Sequence, residues 1–199
     1  MTDDATSTAE DLPSDLEDLA QGVADQVASF LIAVRELAHR GDVPTAVPLL
    51  LLEVSQLLLA GARLGVMTDL VPREQYEAET GPDPDLDHIR MELAELLGAA
   101  DEYVEVFDPY AETPELVPGR ISDDVTAIAE RLVHGLAHHR AGRVGEALWW
   151  WQFSYVSSWG SEASAVLRAL QSVVAHDRLD ADRNTTIEME RIAVADELT

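Results

Sequence analysis

The chain has 199 residues, enough for one domain of ordinary size with tails, and 38 acidic against 13 basic side chains leave it with a net charge of -25. That balance excludes the basic surface with which a protein grips phosphate backbones, and the absence of cysteine removes disulfides, thiol nucleophiles and cysteine-bound zinc. At 47% hydrophobic residues the chain is too apolar for disorder, so its acidity must decorate a packed body.

Residues 1–13 carry Asp3, Asp4, Glu10 and Asp11 with no basic residue and no apolar run, the opposite of a signal peptide. They read as a disordered acidic tail on a cytosolic protein. Ser14 and Glu17 have capping-box spacing, which predicts a helix start. Leu16, Leu19, Val23, Val27, Phe30, Leu31, Val34 and Leu37 then recur at three- and four-residue steps, and Gly41 supplies the stop. A second helix is expected over Pro44–Leu64, with Pro44 and Pro48 before or within its first turn. It is apolar almost all round, which predicts a central place in the bundle. Pro48, Glu53, Ser55 and Gln56 interrupt its apolar run, so it reads as a buried helix and not a membrane span.

Residues 65–84 hold Pro72, Gly81, Pro82 and Pro84 and read as a long loop, a kind often functional. Asp85 is placed to cap a third helix whose stripe is Leu86, Ile89, Leu93, Leu96, Leu97, Ala100, Val104 and Phe107. A proline-rich connector follows over Asp108–Gly119. Ser122 then has the position of a cap for a fourth helix, with Asp123 and Asp124 in its first turn, where negative charge suits the helix dipole. Val125, Ile128, Leu132 and Leu136 form its buried stripe, and Gly142 ends it. Val144, Leu148, Trp151, Tyr155, Trp159, Val166, Leu170 and Val173 keep to one sector of a last long helix over Val144–His176, with Gly160 the natural place for a kink. From Asp177 to Thr199 the chain reads as a polar tail. No strand pattern, repeat or heptad array stands out. The expected product is an all-α, single-domain bundle of about five helices, residues 14–176, with long acidic connectors and frayed termini.

The order of three motifs carries a resemblance. Tyr103-Val104-Glu105-Val106-Phe107-Asp108-Pro109, then Ile121-Ser122-Asp123-Asp124-Val125, then Glu146-Ala147-Leu148-Trp149-Trp150-Trp151 with Trp159-Gly160, resemble the bacterial domain-of-unknown-function family 5063 over about Asp18–Val174. The resemblance implies an α-helical cytosolic domain and no catalytic role. Ser158 stands where the family pattern has a histidine, and Thr126 near a position that is often acidic, so the resemblance does not carry over a metal site.

Each candidate site also has an ordinary structural role open to it. Glu130, His134 and His138 stand at i, i+4 and i+8, and with Asp123 they project opposite the apolar stripe of the fourth helix, so neighbouring pairs have metal-ligand spacing. A solvated acidic face explains them more economically, as dipole stabilisation explains Asp123 and Asp124. Glu53 and Gln56 interrupt an apolar helix and, if buried, need partners. All four tryptophans lie between Trp149 and Trp159. Trp150 points away from the stripe toward Ser154, Ser157, Ser161 and Ser164, a small-residue track suited to a partner helix, a dimer contact or a ligand wall. Gln152 sits among apolar neighbours and should be hydrogen-bonded internally. Phosphate loops, dinucleotide fingerprints, hydrolase elbows and zinc-protease helices are missing, and the absence of lysine excludes Schiff-base chemistry.

The leading expectation is a non-enzymatic interaction or scaffold module binding a protein partner or a second copy of itself through Trp150, Ser154 and Ser157. It would have no cofactor, no nucleic-acid ligand and no membrane. The alternative is a Mg²⁺- or Mn²⁺-dependent hydrolase of a nucleotide or phosphoester, with Asp123, Asp124, Glu130, His134 and Glu53 near the ion. A DNA mimic would need carboxylates spaced like phosphates on one face, which the scattered charges do not provide.

Overall fold

A computed structural model describes residues 12–71 and 86–197, with side-chain surroundings through residue 179. The chain is built of helices: α1 (Ser14–Arg40), α2 (Val43–Gly65), α3 (Asp87–Leu97), α4 (Ile121–Arg140), α5 (Val144–Ser154) and α6 (Gly160–Glu197), the last two joined through a π-helical turn at Tyr155–Trp159. Between α3 and α4 stands one hairpin, β1 (Glu102–Val106) paired antiparallel with β2 (Leu116–Arg120). The fold is predominantly all-α. Asp85, the expected cap of α3, lies outside the described residues.

Each helix buries the stripe its periodicity defines. Val23, Val27, Phe30, Val34 and Leu37 of α1 pack with Leu50, Val54, Leu57 and Leu64 of α2 and with Val125, Ile128, Leu132 and Leu136 of α4 in one continuous core. Helix α4 lies against α1, α3, α5 and α6 and so holds the middle of the bundle. The expectation that α2 would be central is corrected: it leaves Leu52 half-exposed, Leu59 59% exposed and Val66 86% exposed. Their heptad spacing keeps all three on one side, while the buried leucines face α1 and α6. By length and mean hydropathy α2 alone among the described helices is apolar enough to span a membrane, although over a third of that window is buried in the bundle.

The hairpin corrects the third helix, expected to run to Phe107. Gly98 ends α3 with φ 54°, a backbone that an L side chain rarely adopts, and a single 3₁₀ turn leads into β1. Tyr103 and Glu105 then turn toward the bundle while Glu102, Val104 and Val106 face out, the period-two alternation of a half-buried strand. Glu102 pairs across the ladder with Arg120, their side chains 3.0 Å apart.

Two capping expectations change as well. Helix α1 begins at Ser14 behind Pro13 without a side-chain cap, so the Ser14–Glu17 box does not form. Ser122 lies inside α4 and is itself capped: the buried Asp101 carboxylate accepts from the Ser122 amide at 2.8 Å and from its hydroxyl at 2.9 Å, and the Asp101 carbonyl accepts from the Ile121 amide. Asp42 caps α2 by accepting from the Thr45 amide, and hydrogen bonding from the Thr45 side chain and then from its amide holds the Asp42 carboxyl below the usual range. Glu53 is buried and accepts from the Ser29 hydroxyl at 3.3 Å, a structural partnership between α2 and α1.

The last helix is continuous through Gly160, and the departure from α geometry falls in the five residues before it. The Gly160 amide bonds Tyr155 O, five residues back, and a Cβ on Gly160 would lie 2.6 Å from that oxygen. A π turn inserts one residue into the helical ladder, which advances everything after it by about 100°. Helix α6 then continues past His176 to Glu197.

Candidate functional site

Two adjacent tryptophans fix α5 onto α4. Trp151 is fully buried and donates from Nε1 to Leu132 O at 3.2 Å; Trp150, half-buried, donates to Arg131 O at 2.8 Å. Successive carbonyls of one helix thus accept from successive indoles of the next, using the second lone pair each carbonyl keeps after its helical bond. The approach depends on Gly135, because a Cβ there would overlap the Trp151 ring, 2.5 Å from Cδ1.

Trp150 walls a hollow of about 440 Å³ lined by Glu130, Arg131, His134, Phe153, Ser154, Ser157 and Ser158. Its ring lies against the His134 imidazole with centroids 4.2 Å apart, and His134 in turn meets His138 edge-on at 5.1 Å. Trp149 stacks on Phe153 at 5.6 Å and touches Trp150 at 6.1 Å. Phe153, which lines the hollow, is 53% exposed, and Val156, three residues further along the chain, is 73% exposed. Trp150, Ser154 and Ser157 therefore meet in one place, as their spacing suggests. The serines do less than expected. Ser154 is buried and spends its hydroxyl on Trp150 O, while Ser157 donates to Phe153 O. Ser161 and Ser164 belong elsewhere, in a larger groove between α6 and the hairpin. The extra residue of the π turn separates them from Ser154 and Ser157.

The acidic candidates diverge. Asp123 is exposed and 3.4 Å from Arg90. Asp124 turns the other way and accepts from the Tyr103 hydroxyl at 2.7 Å. Burial pushes the Asp124 carboxyl up to about 6; the Tyr103 bond opposes that shift, while the charges of Glu162, Glu105 and Asp123 add to it. Burial and then Glu162 also raise Glu105, and burial with the Asp124 bond raises the Tyr103 phenol. Glu130 and His134 reach the tryptophan hollow, which neither Asp123 nor Asp124 lines. Among the described residues, the trio whose ligand atoms all lie within 4.8 Å of one another is a different one, His39, His88 and Glu92.

The motif order now has a three-dimensional counterpart: Val106-Phe107-Asp108-Pro109 leaves β1, Asp123-Asp124 opens α4, and the tryptophan triplet seals α5 against α4. A family model described as a domain of unknown function, DUF5063, matches residues 14–176. The chain belongs to that family. Among solved structures, the protein BF1032 from Bacteroides fragilis is similar in fold, with a TM-score of 0.63 and 20% identity over 77% of this chain and 90% of that one. A comparison with curated proteins gives no match.

In this DUF5063 chain two polar side chains, Arg131, which its sequence did not single out, and Gln152, which it did, join elements far apart in sequence. Arg131 donates to the Ser158 hydroxyl at 2.5 Å and reaches Glu162 at 3.5 Å, so a guanidinium links α4 to the π turn and to α6. Gln152 donates to Leu64 O at 3.0 Å and accepts from the Leu70 amide at 2.9 Å, the internal role its apolar neighbours imply. Phe153 carried a signal in its four-residue spacing from Trp149.

Proposed function

We propose that this protein is a non-enzymatic helical module that docks a protein partner, or a second copy of itself, on the ridge formed by Trp149, Trp150, Phe153 and Val156. The observation that carries the proposal is an aromatic cluster left partly in water beside a hollow, where most of the chain's other tryptophan surface is buried. Large rings held rigid by their neighbours bury much area at small entropic cost and dominate contact energetics. The Trp150 indole is anchored at both its nitrogen and its face, so the wall is preorganised. The cysteine-free, strongly acidic composition is compatible with work in the cytosol. A metal-dependent hydrolase draws no comparable support, since Asp123 and Asp124 are engaged by Arg90 and Tyr103 on different sides of α4.

The test uses Phe153→Glu and Ser157→Arg, both at exposed positions, because truncating Trp150 would also strip a hydrogen bond from α4. Light scattering and affinity capture are compared with the wild type, with circular dichroism to verify folding. Loss in both variants of a dimer mass, or of the same co-purifying proteins, supports the docking face. Identical mass and identical captured proteins refute it.

A further inference from the structure

Three side chains converge where the last turn of α1 meets the first turns of α3. His39 Nδ1 lies 2.5 Å from one Glu92 oxygen and His88 Nε2 lies 3.0 Å from the other, with the two imidazole centroids 6.0 Å apart. One ligand atom from each residue lies within 4.8 Å of both others. The four-residue spacing of His88 and Glu92 sets them on one face of α3, and α1 supplies His39 from the opposing helix. Neighbouring guanidinium groups are engaged elsewhere: Arg40 pairs with Glu36, and Arg90 with Asp87 and Asp123.

We propose that His39, His88 and Glu92 form a zinc-type divalent-cation site that ties the end of α1 to the start of α3. Two imidazoles and one carboxylate are a donor set that zinc takes with a fourth position left to water, whereas Mg²⁺ and Ca²⁺ prefer all-oxygen shells. Zinc bonds of about 2.0–2.1 Å in a tetrahedron put ligand atoms about 3.3 Å apart. The 2.5 and 3.0 Å contacts run to different oxygens of Glu92, and one ligand atom from each residue stays within 4.8 Å of the other two, near enough to that spacing for side-chain adjustment alone to admit the ion. The His39 and His88 side chains are 42% and 71% exposed, which gives the ion an entry path and the fourth position its water. The strongly negative chain draws cations toward it. The site shares no residue with the tryptophan hollow and stands or falls independently of the docking proposal.

The experiment is calorimetric titration of the tag-free, chelator-treated full chain with Zn²⁺ alone, together with Co²⁺ absorption to report coordination geometry. One ion per chain is expected, with a Kd of roughly 1–100 µM, weaker than a closed four-ligand site. His39→Ala, His88→Ala and Glu92→Gln should each weaken binding by about tenfold or more, while His134→Ala on α4 should leave it unchanged. At a hundredfold excess of Zn²⁺ over the wild-type Kd the melting midpoint should rise by roughly 5–10 °C in the wild type and by about half of that or less in His88→Ala, whose exposed position keeps that variant folded. No binding at millimolar Zn²⁺, equal affinity in the wild type and the His39→Ala/His88→Ala double variant, or sensitivity to His134→Ala instead would each overturn the assignment.

Discussion

Gly135 and Gly22 offer the same substitution with opposite expected signs. Both lie inside long helices, so replacing either by alanine gains about 0.8–1 kcal/mol of helix propensity. At Gly22 nothing stands within 4 Å of the added methyl, and the gain should appear undiminished. At Gly135 the methyl would occupy space already held by the Trp151 ring, one of the largest fully buried side chains. Displacing that ring costs about 1–3 kcal/mol of overpacking. Its Nε1 bond to Leu132 O is lost as well, and a buried donor left unpaired costs about 1–3 kcal/mol. With the propensity gain subtracted, Gly135→Ala should lose about 3 kcal/mol, a fall in melting midpoint of roughly 6–12 °C for a chain of this length. Urea denaturation followed by far-ultraviolet circular dichroism measures both variants on one scale. A Gly135→Ala protein as stable as the wild type would refute the claim that indole proximity fixes the glycine. Equal losses at both positions would show that the helix backbone, and not Trp151, sets the cost.

The carboxyl of Asp124 provides a pH prediction. Its folded value of about 6 lies above the ordinary 3.8, so the folded protein keeps a proton that the unfolded chain releases, and stability declines as pH rises from about 4 to 6. Asp124→Asn removes this dependence while keeping an acceptor for Tyr103. After allowance for partial solvent contact, it should be about 1–2 kcal/mol more stable than the wild type above pH 7, with the advantage shrinking toward pH 4. A difference in unfolding free energy that stays flat across that range would contradict the assignment. Asp101→Ala should lose about 2–3 kcal/mol in chemical denaturation, because it uncaps α4 and strands the buried Ser122 groups, and Asp101→Asn should lose about half as much.

Periodicity made α1, α2, α4 and the last helix legible, because a stripe repeated over five or more turns leaves few alternatives. It misled where two periods overlapped. Val104 and Phe107 fit the α3 stripe by spacing, yet Tyr103-Val104-Glu105-Val106 alternates every two residues, and Gly98 had already ended the helix. Hydrophobicity all round α2 did not decide its position, since burial depends on which neighbours exist to cover each side. At the tryptophan hollow, Trp150, Ser154 and Ser157 were recoverable because one helix carries all three. Arg131 and Ser158 meet across two helices, and His39 reaches His88 and Glu92 across another pair, so only packing could unite them.

The surplus residue in the π turn governs orientation well beyond its own five positions. Wound as ordinary α-helix with every residue kept, the Tyr155–Trp159 turn would swing the downstream rod through more than a quarter of a circle. Ser161 and Ser164 would come into line behind Ser154 and Ser157, while Val166 and Leu170, now sealed inside, would turn away from the neighbours that bury them. The irregularity therefore works as an indexing notch: it lets a single unbroken helix show one flank to the indole wall and another to the hairpin.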